Sequence, residues 1–66
     1  MSETWLKFDS EYDEEPSHEA NLFKTELGYT VEWYHVSVGQ ITHAEFDTVD
    51  EAHTWLEEEG FADFTA

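Results

Sequence analysis

The stretch that decides the fold is residues 48–61, TVDEAHTWLEEEGF, because it carries the signals for both ends of a helix. Thr48 and Glu51 have the spacing of a capping box, in which the threonine hydroxyl accepts a hydrogen bond from a backbone N–H of the first helical turn. Asp50 and Glu51 also lie where the helix dipole favours negative charge. The helix is therefore predicted to begin near Val49.

The other end of this helix has a signal of its own. Gly60 suits the left-handed position that follows a helix in a Schellman motif, and Phe61 is then placed to contact Leu56. The prediction is a helix over residues 49–59. One side of it is apolar and consists of Val49, Ala52 and Leu56, with Trp55 beside them.

Two strands are predicted before the helix, at residues 29–38 and 40–46, which are rich in β-branched and aromatic side chains. Gly39 and Gln40 suit a two-residue type II′ turn between them. That turn would pair His35 with Ala44 in an antiparallel hairpin. We expect the C-terminal helix to cover the hairpin face formed by Val31, Trp33, Ala44 and Phe46.

The opposite face of the hairpin is too apolar to be left in water without a reason. We expect either the N-terminal part of the chain or a partner to cover it. This face is a candidate surface for docking or for forming a homodimer, and it consists of Tyr34, Val36, Val38 and Ile41.

The N-terminal half has one predicted strand, residues 4–8, and one ambiguous segment, residues 17–27. As a helix, this segment would be capped by Ser17 and ended by Gly28; as a strand, it would lead into a turn at Gly28. We favour the helix. The prediction is then a small single α+β domain, residues 1–66, in the order β-α-β-β-α, with an acidic loop at residues 9–19.

Composition limits what the chain can do. It has 17 acidic residues, two lysines and no arginine, for a net charge of −15. We expect no direct binding to nucleic acid, because that affinity depends on Lys and Arg. Aromatic residues make up 17% of the chain, which indicates a folded domain rather than a disordered acidic segment. With no long apolar run and no signal-peptide pattern at the start, we expect a cytoplasmic protein without membrane contact.

No motif points to catalysis, a metal or a cofactor. Cysteine is absent, and the histidines at positions 18, 35, 43 and 53 lack metal-ligand spacing on either predicted helix. The acidic loop does not fit the calcium-binding EF-hand pattern, and Pro16 interrupts it. We therefore expect a protein that is not an enzyme and holds no cofactor.

The position of the charges is more informative than their number. The last 42 residues contain ten acids and no base. Glu57, Glu58 and Glu59 lie at the predicted C-terminus of the helix, where the dipole disfavours anions. A local rule broken without a visible structural gain points to function.

We therefore interpret the chain as an acidic interaction protein that occupies the basic nucleic-acid-binding surface of a partner protein, as an inhibitor or regulator. In size and charge alone it resembles the small acidic nucleic-acid mimics that phages often make against host or defence machinery. The candidate contacts are acids of the loop and of the helix: Asp13, Glu14, Glu15, Asp50, Glu51, Glu57, Glu58 and Glu59.

Two alternatives explain the charge differently. In a salt-adapted protein the acids would only maintain solubility, since molar salt screens their repulsion. In a small binding module the apolar hairpin face would provide the contact. Folding at low salt separates the first alternative from the others.

Overall fold

The computed structural model, which describes residues 2–10, 12 and 14–65, contains a five-stranded antiparallel sheet and one helix. The strands occur in the spatial order β4-β3-β2-β1-β5. The elements are β1 (Ser2–Lys7), β2 (His18–Thr25), β3 (Gly28–His35), β4 (Ile41–Phe46), α1 (Val49–Glu58) and β5 (Ala62–Asp63).

The predicted order β-α-β-β-α is wrong at its second element, because residues 18–25 form strand β2 and not a helix. β2 lies at the centre of the sheet, between β1 and β3, so both of its edges are hydrogen-bonded. Its buried residues, Ala20 and Leu22, alternate with half-buried Asn21, which is the period of a strand. Leu27 is 88% exposed in the β2–β3 turn. Pairing with two neighbours outweighs the local helix signals.

The predicted hairpin exists, but its register is wrong. Ala44 pairs with Val31, four residues before the predicted partner His35. The cause is the connection, which spans residues 36–40 and is closed by bonds from Val38 N and Gly39 N to the His35 carbonyl, at 3.0 and 2.8 Å. An even shift preserves the faces of a strand, so Val31 and Ala44 still share one face, as predicted.

The predicted caps at both ends of the helix are present. Thr48 is the N-cap, and its hydroxyl accepts a hydrogen bond from the Glu51 backbone N–H. At the other end, Gly60 has φ of +93°, and Phe61 N donates to the Leu56 carbonyl at 2.9 Å. This is the Schellman pattern, and the helix ends at Glu58, one residue earlier than predicted.

The core lies between α1 and one face of the sheet. Two adjacent cross-strand rows on this face run Trp5–Ala20–Trp33 and Glu3–Leu22–Val31. The buried hydrophobic cluster is Trp5, Ala20, Leu22, Val31, Ala52, Leu56 and Phe61, with Tyr29, Trp33, Phe46, Val49 and Trp55 packed against it. Strand β1 covers Ser2–Lys7 rather than the predicted residues 4–8, and its buried residue is Trp5.

The acidic loop between β1 and β2 is shorter than predicted. Ser17 closes it, because both its backbone N–H and its hydroxyl donate to the Lys7 carbonyl, at 2.7 and 3.1 Å. Glu19, predicted in the loop, lies on β2 opposite Leu6 and Tyr34.

Within the described residues, no helix has the length and apolarity needed to cross a bilayer.

Candidate functional site

A shallow groove of about 430 Å³ runs beside the exposed flank of α1, next to the end of β4. Phe46, the last residue of β4, provides one wall, and side chains of α1 provide the other. The groove is lined by Phe46, Asp50, Glu51, Thr54, Trp55 and Glu58.

The floor of the groove is aromatic. The Trp55 ring centroid lies 5.9 Å from that of Phe46 and 4.8 Å from that of Trp33. Trp55 and Phe46 are only half-buried, so each ring keeps a surface open to solvent. Because Trp55 also lies 6.4 Å from the core residue Phe61, the floor is fixed by the core beneath it.

The rim of the groove is anionic. Asp50, Glu51 and Glu58 are all exposed, and the lining contains no basic residue. Glu51 and Glu58 lie two helical turns apart on the side of α1 that carries Trp55. Of the other predicted helix contacts, Glu57 and Glu59 are exposed but do not line the groove.

A second depression, of about 310 Å³, lies at the β2–β3 turn end of the sheet. It shares Phe46 with the groove. Its remaining lining is Thr25, Leu27, Tyr29, Glu45 and Asp47. Its two acids, Glu45 and Asp47, were not among the predicted contacts.

The predicted loop contacts are separate from the groove. Glu14 and Glu15 are exposed in the β1–β2 connection, and Asp13 lies outside the described residues. This connection leaves the sheet at the end where α1 finishes: Lys7 Cε is 3.6 Å from the position that a Cβ on Gly60 would occupy. The helix end therefore has a cation nearby, which the absence of bases after residue 24 did not suggest.

The predicted docking face is only partly a sheet face. Tyr34 and Ile41 pair on the side of the sheet opposite α1, whereas Val36 and Val38 lie in the β3–β4 connection. Val36, Val38 and Ile41 are 47%, 70% and 53% exposed. Tyr34 Oη donates a hydrogen bond to Glu19, which raises the pKa of the Tyr34 phenol above its ordinary value.

The histidines make pairwise contacts. His53 Nε2 lies 2.9 Å from Glu3 Oε1, and His43 Nε2 lies 3.0 Å from Glu32 Oε1. Burial lowers the pKa of His18, and the nearby charges of His35 and Lys7 lower it further. In the described part of the chain, no group of three or more His, Cys, Asp or Glu side chains is arranged to hold a metal ion.

No protein-family model, curated protein sequence or solved structure matches this chain.

Sequence reasoning identified the acids of the helix but missed the groove that three of them line. The missed residues are Phe46, Thr54 and Trp55. Part of the signal was present, since Glu51, Trp55 and Glu58 have the spacing of one helix flank. The contribution of Phe46 required knowing how β4 lies beside α1.

Proposed function

We propose that this protein is a non-enzymatic acidic interaction protein that occupies the basic nucleic-acid-binding surface of another protein. The observation that carries the proposal is the net charge of −15 together with the exposure of the carboxylates on α1. A basic surface built to bind phosphates attracts such a chain by the same long-range field, which gives fast and salt-sensitive association.

The charge density supports competition with nucleic acid. The longest dimension of the molecule is 37 Å, and it carries 15 net negative charges. A DNA duplex of that length carries about 22, at one charge per ~1.7 Å of axis. The protein therefore has roughly two thirds of the linear charge of DNA, which is enough to compete when shape also fits.

The distribution of bases supports the same proposal. Lys7 and Lys24 both belong to the rows of the sheet on the side that α1 covers. The opposite face has three acids on its strands, Glu19, Glu32 and Glu45. This second face therefore offers a basic partner an approach that avoids both lysines.

The test is capture of partners from a host lysate on the immobilised protein, followed by elution with duplex DNA. We expect a DNA- or RNA-binding protein to be retained, released by about 0.5 M salt, and displaced by duplex at low salt. An equal mass of neutral dextran is the control eluent and should release nothing.

A paired set of variants tests whether position matters as well as total charge. Glu57→Lys with Glu58→Lys removes predicted contacts on α1, whereas Asp9→Lys with Glu26→Lys makes the same charge change at exposed positions outside the predicted set. Neither control position is one of the three strand acids of the second face. We expect the α1 pair to reduce capture more than this control. Recovery of no basic protein, or retention that duplex DNA does not reverse, would contradict the proposed function.

A second candidate function is self-association through Tyr34, Val36, Val38 and Ile41, which is favoured by the exposure of the last three. Salt separates the two functions. Two copies of a chain with charge −15 repel each other, so dimerisation should strengthen as salt is added, whereas binding to a basic partner should weaken. Sedimentation velocity at 0.05 and 0.5 M salt, roughly bracketing the screening range, measures the first effect.

A further inference from the structure

The groove between β4 and α1 differs from the other acidic surfaces because it joins carboxylates to half-buried aromatic rings. Phe46 and Trp55 each present part of a ring to it, and Glu51 and Glu58 stand at its rim. An acidic patch alone attracts any cation. A ring beside a carboxylate can distinguish one cation from another.

The chemistry that satisfies both parts is a guanidinium group. Its plane stacks on an aromatic ring, and its edge donates two parallel hydrogen bonds to a carboxylate. A lysine ammonium is a compact, strongly hydrated charge. It can pair with a carboxylate, but it has no plane that stacks on an aromatic ring. A neutral apolar group would cover the ring but would bury the neighbouring carboxylates without partners.

We infer that this groove binds an arginine side chain presented by a basic protein, with the guanidinium stacked on Trp55 or Phe46 and paired with Glu58 or Glu51. The groove, of about 430 Å³, has room for one such side chain. The inference rests on the proposed function, since it specifies how the partner is contacted. It gives the protein a preference for arginine-rich over lysine-rich surfaces.

The test uses a blocked peptide with three arginines separated by serines, and the same peptide with lysines, at physiological salt. Binding is followed by two-dimensional NMR of the labelled full chain, in which each tryptophan indole N–H gives its own signal. We expect the Trp55 indole to shift more than that of Trp5, which is buried in the core. The arginine peptide should bind about fivefold or more tightly than the lysine peptide.

A matched pair of variants separates the groove from general charge attraction. Glu58→Gln and Glu57→Gln each remove one charge from neighbouring exposed positions of α1, but only Glu58 lines the groove. We expect Glu58→Gln to weaken the arginine peptide about five- to tenfold and Glu57→Gln less than twofold. Thermal melts of both variants confirm that they fold like the parent.

Equal losses for the two variants, or equal affinity for the two peptides, would overturn the inference. Neither result depends on capture from a lysate or on displacement by duplex DNA. A chain that discriminates arginine in the groove but retains no nucleic-acid-binding protein keeps this inference and loses the proposed function. If a nucleic-acid-binding partner is captured equally well by Glu58→Gln and the chain shows no arginine preference, the proposed function is kept and this inference is lost.

Discussion

The two faces of the sheet are built from alternate residues of the same strands, yet they are stabilised in different ways. On the face toward α1, Trp5, Leu22 and Val31 are buried with Leu56 of the helix. On the opposite face, no helix is packed in the described part of the chain, and the cross-strand neighbours include Glu32 and His43. One face depends on removing apolar area from water, and the other does not.

Polar pairs connect the strands on the open face. Tyr34 donates to Glu19, and Thr4 Oγ1 lies 3.5 Å from Asn21 Oδ1. Such pairs remain hydrated, so each contributes only a few tenths of a kcal/mol to about 1 kcal/mol. More of the apolar burial therefore lies on the face toward α1, although Thr30 on the open face is also buried.

The sharpest test of this comparison is removal of one apolar side chain from each face. Leu56→Ala should reduce the free energy of unfolding by about 3 kcal/mol, because Leu56 is fully buried and leaves a cavity. Ile41→Ala, on the open face, should cost less than about 1 kcal/mol, because Ile41 is 53% exposed. Urea denaturation measures both, and similar losses would show that the open face is also part of the core.

The next test addresses the turn that joins β2 to β3. A Cβ on Gly28, which has φ of +145°, would lie 2.5 Å from the Phe46 carbonyl oxygen of β4. Gly28→Ala should therefore cost about 2 kcal/mol or more, because backbone atoms must move. Gly60→Ala is the matched control: its φ is +93°, but the nearest atom is the flexible end of Lys7, at 3.6 Å. The Gly60→Ala control should cost about 1 kcal/mol. A larger loss of stability for Gly60→Ala than for Gly28→Ala would show that β4 is not held against this turn.

A smaller gain is expected from the end of α1. Replacing Glu57 and Glu58 by lysine should raise the melting temperature at low salt, because each change exchanges an anion for a cation near the negative end of the helix dipole. The expected gain is about 0.3–1 kcal/mol per site, reduced by the proximity of Lys7 to Gly60. High salt should abolish most of the gain, and an unchanged melting temperature at low salt would contradict the dipole argument.

The smallest effect concerns pH on the face toward α1. The pKa of His18 is lowered mainly by burial, so the unfolded chain takes up a proton at this site more readily than the folded chain. Stability should therefore fall as pH decreases through about 6.5, the ordinary histidine value. His18→Gln should flatten this dependence when denaturation is compared at pH 7.5 and 5.5. Parallel curves for the two proteins would show that His18 does not contribute.

The elements with local signals were predicted well. The ends of α1 depend on Thr48, Glu51 and Gly60, whose spacing in the chain creates the caps without any distant contact. The face shared by Val31 and Ala44 was also predicted, because side-chain alternation in a strand survives an even change of register.

The features without local signals were predicted poorly. Residues 18–25 contain apolar residues at both helical and strand spacings, and the choice is made by β1 and β3, which lie on either side. The register of β3 with β4 depends on a connection of residues 36–40, and a two-residue turn was an equally regular choice from the sequence.

The candidate site also has features that the sequence indicates and features that it does not. The carboxylates of Asp50, Glu51 and Glu58 could be assigned to an exposed helix from the sequence alone. Their association with an aromatic floor could not, because Phe46 belongs to another element and Trp55 was interpreted only as a neighbour of the apolar stripe.

The sequence by itself determined the charge of −15 and the two caps of α1, since each depends on residue identity or on near neighbours in the chain. Only the tertiary structure decided that β2 is a central strand, that Lys7 lies near Gly60, and that an acidic flank of α1 borders half-buried aromatic rings. These features bring together residues distant in sequence. Their positions are set by strand pairing and core packing, which local propensity does not determine.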